Sequence, residues 1–175
     1  MQVLKEGGVI AYPTEAVWGL GCDPSNELAV KRILQLKQRP VSKGLILVSG
    51  QESHFSVLLE GLDQGVLKRM RASWPGHTTW LVPHHNRIPA SIHGDSDKVA
   101  IRVSAHPVVV ALSLGFGGAI VSTSANPGGQ KAAETEEEAR GYFSQSEVTF
   151  CVGETGSQKR ASRIIDALSG QVLRS

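Results

Sequence analysis

Short apolar runs typical of buried strands alternate with helical segments along this chain, and this alternation constrains the fold more than any other feature. The predicted strands are Val9–Tyr12, Gly44–Val48, Thr78–Val82, Val99–Val103, Ala119–Ser122, Val148–Val152, Arg163–Asp166 and Val172–Arg174. The predicted helices run from Asp23-Pro24-Ser25 to the stop at Pro40, from Asp63 to Ser73, onward from His106-Pro107, and from Thr135 to Phe143. The pattern indicates an α/β protein.

The length and composition favour one globular domain covering residues 1–175. The chain is 41% apolar and 19% charged, which is ordinary for an α/β protein, and no segment resembles a linker. No run approaches the ~20 apolar residues of a membrane helix. The first residues, Met1–Glu6, have neither the basic start nor the apolar stretch of a signal peptide. We therefore expect a cytoplasmic protein with no membrane partner.

Four short polar motifs stand where apolar runs or helices end. They are Tyr12–Glu15, Lys37–Pro40, Ala100–Val103 and Ser122–Asn126. A sheet-based domain brings such positions to one rim, although they are distant in sequence. The motifs together predict an anion-binding cleft.

The strongest cationic pair is Lys37 and Arg39. Both stand at the end of a predicted helix, where cations also complement the helix dipole, so a purely structural role is an alternative. Ser42, Lys43 and Gly44 follow at once before a strand. The ammonium of Lys37 is a compact point charge, and the planar guanidinium of Arg39 can donate two parallel hydrogen bonds. In this setting the two groups favour binding of a polyphosphate.

Two further segments carry polar groups on strands. Alternation puts Arg102 on one face of its strand with Ala100, so the guanidinium needs a partner, which can equally be a ligand carboxylate or an internal Asp or Glu. The segment Ser122–Gly129 ends a buried strand in hydroxyls, an amide and glycines, a composition that can line an anion nest. It is not a Walker A loop, because the Gly-Lys spacing is absent. Thr14 and Glu15 follow Pro13, which predicts a rigid turn that offers both side chains to a ligand.

Metal and redox chemistry have little support in the sequence. The two cysteines, Cys22 and Cys151, are interpreted as buried thiols. The six histidines show no metal-ligand spacing and are interpreted as surface or loop residues. The tryptophans are interpreted as packing residues, although Trp18 follows the Thr14 motif closely enough to line the cleft. No protein metal site is predicted.

These motifs, together with Trp74-Pro75-Gly76, resemble the YrdC/Sua5 family in order and spacing, and most closely its short bacterial form. The resemblance covers nearly the whole chain, and the combination of Lys-x-Arg with Ser-x-Asn is its specific element. It implies a twisted, mixed α/β sheet flanked by helices with a concave basic cleft. It also implies synthesis of L-threonylcarbamoyladenylate and pyrophosphate from L-threonine, bicarbonate and ATP, for t6A modification of tRNA.

The resemblance also implies roles for individual residues. The nucleotide would be held by Lys37, Arg39, Ser124, Asn126 and Arg174, with Lys37 and Arg39 stabilising charge during the reaction. Threonine would be held by Thr14, Arg102, Ser122 and Ser162, with Arg102 on its carboxylate. Mg²⁺ would arrive bound through the ATP phosphates. A TsaD-containing complex would accept the adenylate.

The sequence departs from the family pattern at several places. His77 stands where the family usually has proline after Trp-Pro-Gly, and Pro127-Gly128 replaces a residue followed by serine. Few residues precede the first strand, where relatives usually have most of a helix, and the C-terminal domain of the long form is absent.

An alternative from another class is an RNA-binding module that uses the same basic cleft for tRNA or structured, double-stranded RNA. The cluster from Lys31 to Lys43 favours it. A net charge of only +2 and an aromatic content of 5% disfavour it.

Overall fold

The computed structural model describes residues 2–175, and its centre is one sheet of nine strands. The strands are β1 (Val9–Pro13), β2 (Trp18–Gly21), β3 (Ile46–Ser49), β4 (Thr78–Pro83), β5 (Lys98–Val103), β6 (Ile120–Ser124), β7 (Val148–Phe150), β8 (Arg163–Asp166) and β9 (Val172–Arg174). Their spatial order is β7-β1-β2-β6-β3-β5-β4-β8-β9. Three pairs are parallel, namely β1 with β7, β3 with β5 and β4 with β8, and the other neighbours are antiparallel.

Helices lie on both faces of this mixed sheet. They are α1 (Gln2–Lys5), α2 (Glu27–Leu36), α3 (Ser56–Leu59), α4 (Gln64–Arg71), α5 (Ala90–His93), α6 (Pro107–Phe116) and α7 (Glu136–Phe143). No helix within residues 2–175 is long and apolar enough to cross a membrane. The predicted α/β class and the four predicted helices are therefore present, with α1, α3 and α5 added.

The two faces of the sheet are covered unequally. One face carries the large core, in which α2, α4 and α7 pack on strand residues such as Leu47 and Ile101. The other face carries a smaller core, where α1 and α6 cover Ile10, Tyr12 and Ile120. The part of this second face that these helices leave open becomes the floor of a cleft.

The strand that the sequence did not predict is β2. Trp18–Gly21 contains two glycines and no β-branched residue, so it lacks the composition of a strand. Its glycines are required by packing, because a Cβ on Gly21 would lie 2.7 Å from the carbonyl oxygen of Val121 and 2.8 Å from Cε1 of Tyr12. Pairing with β2 also extends β6 to Ser124, two residues beyond the predicted end.

Helix ends follow the local signals that the sequence contains. The side chain of Asn26, rather than the Asp23-Pro24-Ser25 turn, caps α2 by accepting from the amide of Ala29. Thr135 and Glu138 form a capping box at the start of α7, as the acidic run there suggests. Gly117 ends α6 in the left-handed conformation.

One long connection crosses the sheet without regular structure. Residues 151–162, called the crossing segment below, join β7 at one edge to β8 near the other. Amides of this segment donate to carbonyls in and after β1, with Gly156 bonded to Thr14 at 2.9 Å and Gln158 to Glu15 at 2.9 Å. The crossing segment therefore runs along one side of the open part of the second face.

Candidate functional site

The open part of the second face is a cleft of about 410 Å³. Strand register forms its floor, because Ile46 lies beside both Ala100 and Ser122, and Ala100 lies beside Leu81. All of the predicted ligand residues line the cleft except Glu15, Lys37 and Asn126. The fold thus brings most of the four polar motifs to one place.

The side chains that line this cleft are strongly biased in charge. The cationic ones are Arg39, Lys43, Lys98, Arg102 and Arg174. No aspartate or glutamate lies among the described lining residues. Lys98 is neutralised by Asp166, whose Oδ2 lies 2.5 Å from Nζ. Arg102 also has a carboxylate partner, Glu15, but Arg39, Lys43 and Arg174 form no salt bridge within residues 2–175, so the cleft is suited to anionic ligands.

Lys37 and Asn126 lie together at one end of the site rather than on its lining. The ammonium of Lys37 donates to the carbonyl oxygens of Ser124 and Asn126, the latter at 2.8 Å, and to Oδ1 of Asn126 at 3.3 Å. Ser124 Oγ donates to the same Oδ1 at 2.6 Å. Burial, and secondarily the charge of Arg39, lower the pKa of Lys37 to about 8.

Arg39 is placed by the turn that follows α2. Its Nε donates to the carbonyl oxygen of Gly44 at 3.0 Å and its Nη2 to that of Lys43 at 3.3 Å. Burial lowers its pKa, although an arginine stays protonated. Lys37 and Arg39 form a like-charge pair that an anion would stabilise.

Arg102 is buried on β5, with Ala100 on the same face as predicted. Its internal partner is Glu15, because Nη1 lies 3.3 Å from Oε2. Glu15 also accepts from Ser104 Oγ at 2.6 Å, so the prediction that its carboxylate is offered to a ligand is wrong. Arg102 Nε is buried without a hydrogen-bond partner among residues 2–175.

Ser162 and Arg174 meet on the β8–β9 side. Arg174 Nε donates to the Ser162 carbonyl at 2.9 Å and Nη2 to Ser162 Oγ at 3.1 Å. Thr79 Oγ1 lies 2.8 Å from the same hydroxyl. Burial, and then the charge of Arg102, lower the pKa of Arg174.

Hydroxyl groups also line the floor of the cleft. Ser122 and Ser124 lie on β6, two residues apart, and both line the cleft. Thr14 lines it too, and its Oγ1 donates to the carbonyl oxygen of Val17 at 2.7 Å, which fixes the turn after β1. Trp18, a predicted packing residue, is buried and also lines the cleft.

Some residues of the site were missed at the level of sequence. Lys98 shares a strand face with Ala100 and Arg102, so simple alternation could have found it. His77, in the turn before β4, and His93, at the end of the unpredicted helix α5, also line the cleft, and no sequence period indicates either. His84 and His106 lie in loops, as the surface-or-loop interpretation allows, but both are buried, and carbonyl oxygens of Ser96 and Glu154 accept from their rings.

Comparison with known proteins identifies the family of this chain. The sequence matches, over residues 2–175, the family model of Sua5, YciO and YrdC proteins, which is described as "Telomere recombination". The chain belongs to the Sua5/YciO/YrdC family. The resemblance seen in the polar motifs is confirmed.

Two curated members of the Sua5/YciO/YrdC family are close to this chain in sequence. Threonylcarbamoyl-AMP synthase of Hahella chejuensis is 52% identical over 174 residues, covering 99% of this chain and 95% of the relative. The protein of the same name from Saccharophagus degradans is 48% identical over 174 residues, covering 99% and 91%.

Solved structures of the Sua5/YciO/YrdC family share the fold. P. abyssi Sua5 complexed with L-threonine aligns with a TM-score of 0.85 at 30% identity, covering 94% of this chain but 48% of that chain. E. coli YciO aligns with a TM-score of 0.85 at 24% identity, covering 99% and 85%. The predicted twisted, mixed sheet flanked by helices is confirmed.

Proposed function

We propose that this chain is a threonylcarbamoyl-AMP synthase that uses the cleft to join L-threonine, bicarbonate and ATP. The observation that carries the proposal is a cleft lined by Arg39, Arg102, Arg174 and the hydroxyls of Ser122 and Ser124, with no aspartate or glutamate among its described lining residues. Relatives at about 50% identity bear this enzyme name. These cations and hydroxyls would bind the two anionic substrates.

The residues fit distinct parts of the substrates. Lys37 and Arg39 would hold the ATP phosphates together with Ser124 and Asn126, and Arg174 would reach the nucleotide from β9. Arg102 would bind the threonine carboxylate. The Sua5 complex with L-threonine supports an amino-acid site in this fold. Thr14, Ser122 and Ser162 would surround the same ligand.

The reaction then needs positioning more than a covalent catalyst. The amine of threonine forms a C–N bond to the bicarbonate carbon, one C–O bond of bicarbonate breaks, and water leaves to give a carbamate. A carbamate oxygen attacks the α-phosphorus of ATP, the bond from that phosphorus to the oxygen bridging to the β-phosphorus breaks, and pyrophosphate leaves. Fixed cations hold the two anions in place and stabilise the charge that develops on phosphate oxygens.

Magnesium would come with the nucleotide. The described lining of the cleft contains no carboxylate, and no group of three or more His, Cys, Asp or Glu side chains in residues 2–175 is placed to hold a metal ion. A magnesium ion bound through the phosphates would neutralise part of their charge. The protein's own contribution is to hold the phosphates through Lys37 and Arg39.

RNA is a second candidate ligand because Lys31 and Arg32 are exposed on α2, the helix that ends just before Lys37. A role in t6A formation, with tRNA and a TsaD-containing complex downstream, would use such a surface. RNA held mainly by phosphate contacts should dissociate steeply with salt.

The deciding experiment measures pyrophosphate release from ATP and Mg²⁺, with and without L-threonine and bicarbonate, while mass spectrometry detects the adenylate. We expect release only when both co-substrates are present. Release that ignores threonine, or none from folded protein, would contradict the proposal. An Arg102→Ala variant that loses this activity but retains RNA binding would separate the two ligands.

A further inference from the structure

We propose that His77 is a positioning residue for the amino-acid subsite: it holds the Arg102 guanidinium in the orientation that receives a carboxylate and ties it to the crossing segment. The inference rests on the proposed function of the cleft. His77 stands in the turn before β4 and lines the cleft. Its two ring nitrogens contact Arg102 and the carbonyl oxygen of Arg160.

The partners of His77 define its protonation. The carbonyl oxygen of Arg160, 2.7 Å from Nε2, can only accept, so Nε2 carries the proton. The Arg102 guanidinium, whose Nη1 lies 3.3 Å from Nδ1, can only donate, so Nδ1 carries none. A neutral imidazole therefore satisfies both contacts. The neutral ring orients Arg102 and leaves its positive charge in place. A second carboxylate beside Glu15 would instead cancel that charge.

The contacts of Arg102 leave one edge of its guanidinium for a ligand. Both protein partners, His77 and Glu15, contact Nη1. The Nε N–H is buried and has no hydrogen-bond partner in residues 2–175. A carboxylate binds arginine best through two parallel hydrogen bonds, and the edge formed by Nε and Nη2 offers that geometry. Rotation of the guanidinium about its long axis would lose the edge, and His77 opposes that rotation.

His77 also fixes the end of the crossing segment. Its side chain bonds to residue 160, and its own carbonyl oxygen accepts from the amide of Arg163 at 3.2 Å. These two contacts flank Ser162, which is buried against Thr79 and Arg174. One residue thus sets the positions of two side chains proposed for threonine, Arg102 and Ser162.

Two substitutions separate the contacts. In His77→Asn, Oδ1 stands where Nδ1 was and can still accept from Arg102, but the side chain is too short to reach the Arg160 carbonyl. In His77→Gln, Nε2 can reach that carbonyl, and the acceptor facing Arg102 is lost. His77→Ala removes both contacts.

The test is steady-state kinetics of pyrophosphate release, with calorimetric titration of L-threonine in the absence of ATP. We expect His77→Ala to raise the KM and Kd for threonine about tenfold, the effect of one lost hydrogen bond to a charged group, while the KM for ATP changes less than about twofold. His77→Asn should recover most of the threonine affinity and His77→Gln should not. His85→Ala, at an exposed histidine, is the matched control.

Three results would overturn the inference: unchanged threonine affinity in His77→Ala, equal losses for threonine and ATP, or better recovery by His77→Gln than by His77→Asn. Thermal unfolding of each variant identifies a loss caused by misfolding, and the Asn and Gln variants then still compare the two contacts. If the wild-type protein binds threonine but releases no pyrophosphate, the proposed synthase function fails while the binding data still test His77.

Discussion

The ammonium of Lys37 lies 2.8 Å from the carbonyl oxygen of Asn126, so a buried cation fastens the loop after β6 to the end of α2. The same side chain is also bonded to the carbonyl oxygen of Ser124. Backbone oxygens of the Ser-x-Asn motif thus hold the lysine of the Lys-x-Arg motif. The two motifs act as one unit, and ATP phosphates would meet them together.

The lowered pKa of Lys37 makes ATP affinity dependent on pH. Below about pH 8 the side chain carries its proton, and above it the free protein loses this cation. ATP affinity should therefore fall as the pH rises from about 7.5 to 9.5, by at most about tenfold per pH unit. Lys37→Arg should remove this fall, because arginine stays protonated. Calorimetric titration of ATP at several pH values measures the affinity of each protein. An equal dependence of affinity on pH in the wild-type protein and in Lys37→Arg would contradict a role for the Lys37 proton in ATP binding.

Arg102 should not be replaceable by lysine. We expect Arg102→Lys to raise the KM for threonine at least about tenfold, since a point charge cannot serve Glu15, His77 and a carboxylate at once. The KM for ATP should change much less. Steady-state kinetics with each substrate varied in turn measure the two KM values separately. Arg32→Lys, on the exposed side of α2, is the matched control.

Arg102→Ala should in addition destabilise the fold. It leaves the carboxylate of Glu15, whose side chain is 12% exposed, without its cation. Loss of one partner of a buried pair costs about 3–5 kcal/mol. Chemical denaturation of the Ala and Lys variants tests this, and equal stability of the two would show that Glu15 does not need the charge.

The sequence predicts those features of the structure that depend on residues close together in the chain, and not those that depend on contacts between distant residues. Alternation along β5 correctly put Arg102 opposite Ile101, and the acidic run before Arg140 correctly predicted the start of α7. These are local patterns. The partner of Arg102 could not be chosen, because Glu15 approaches it only through the turn after β1.

The same limit explains the missed strand and the missed site residues. Trp18–Gly21 becomes β2 because β1 and β6 lie on either side of it, and its own propensities oppose a strand. The distances from Lys37 to the carbonyls of Ser124 and Asn126 also depend on pairing between distant segments. Contacts between residues that are distant in the chain leave no periodic pattern in a single sequence.

Gly21→Ala tests the packing that explains β2. The new Cβ would lie 2.7 Å from the Val121 carbonyl oxygen, so we expect a loss of about 1–3 kcal/mol in the free energy of unfolding. Gly141→Ala is the control, because that glycine lies in α7 with no atom within 4 Å of the new Cβ. It should stabilise the protein by about 0.5–1 kcal/mol. Denaturant titration compares them, and similar effects at both positions would refute the steric account.

Asp166 holds the turn between β8 and β9. Its Oδ1 accepts from the amides of Leu168 and Ser169, and its Oδ2 pairs with Lys98. Asp166→Ala should lower the free energy of unfolding by about 1–3 kcal/mol, which corresponds to a Tm lower by about 2–4 °C per kcal/mol. It should also raise the KM for ATP, because Arg174 lies on β9. Unchanged Tm and KM would show that the turn forms without this carboxylate.

The hairpin of β8 and β9 carries Arg174 and follows directly after Ser162, yet it is joined to the sheet by pairing with β4 and to the chain by the crossing segment alone. This arrangement makes the molecule a candidate for fragment complementation. A protein cleaved in the exposed stretch around Ser157–Lys159 should lose ligand binding when the short peptide is removed. Adding that peptide back should restore binding, so that the peptide serves as a detachable wall of the site.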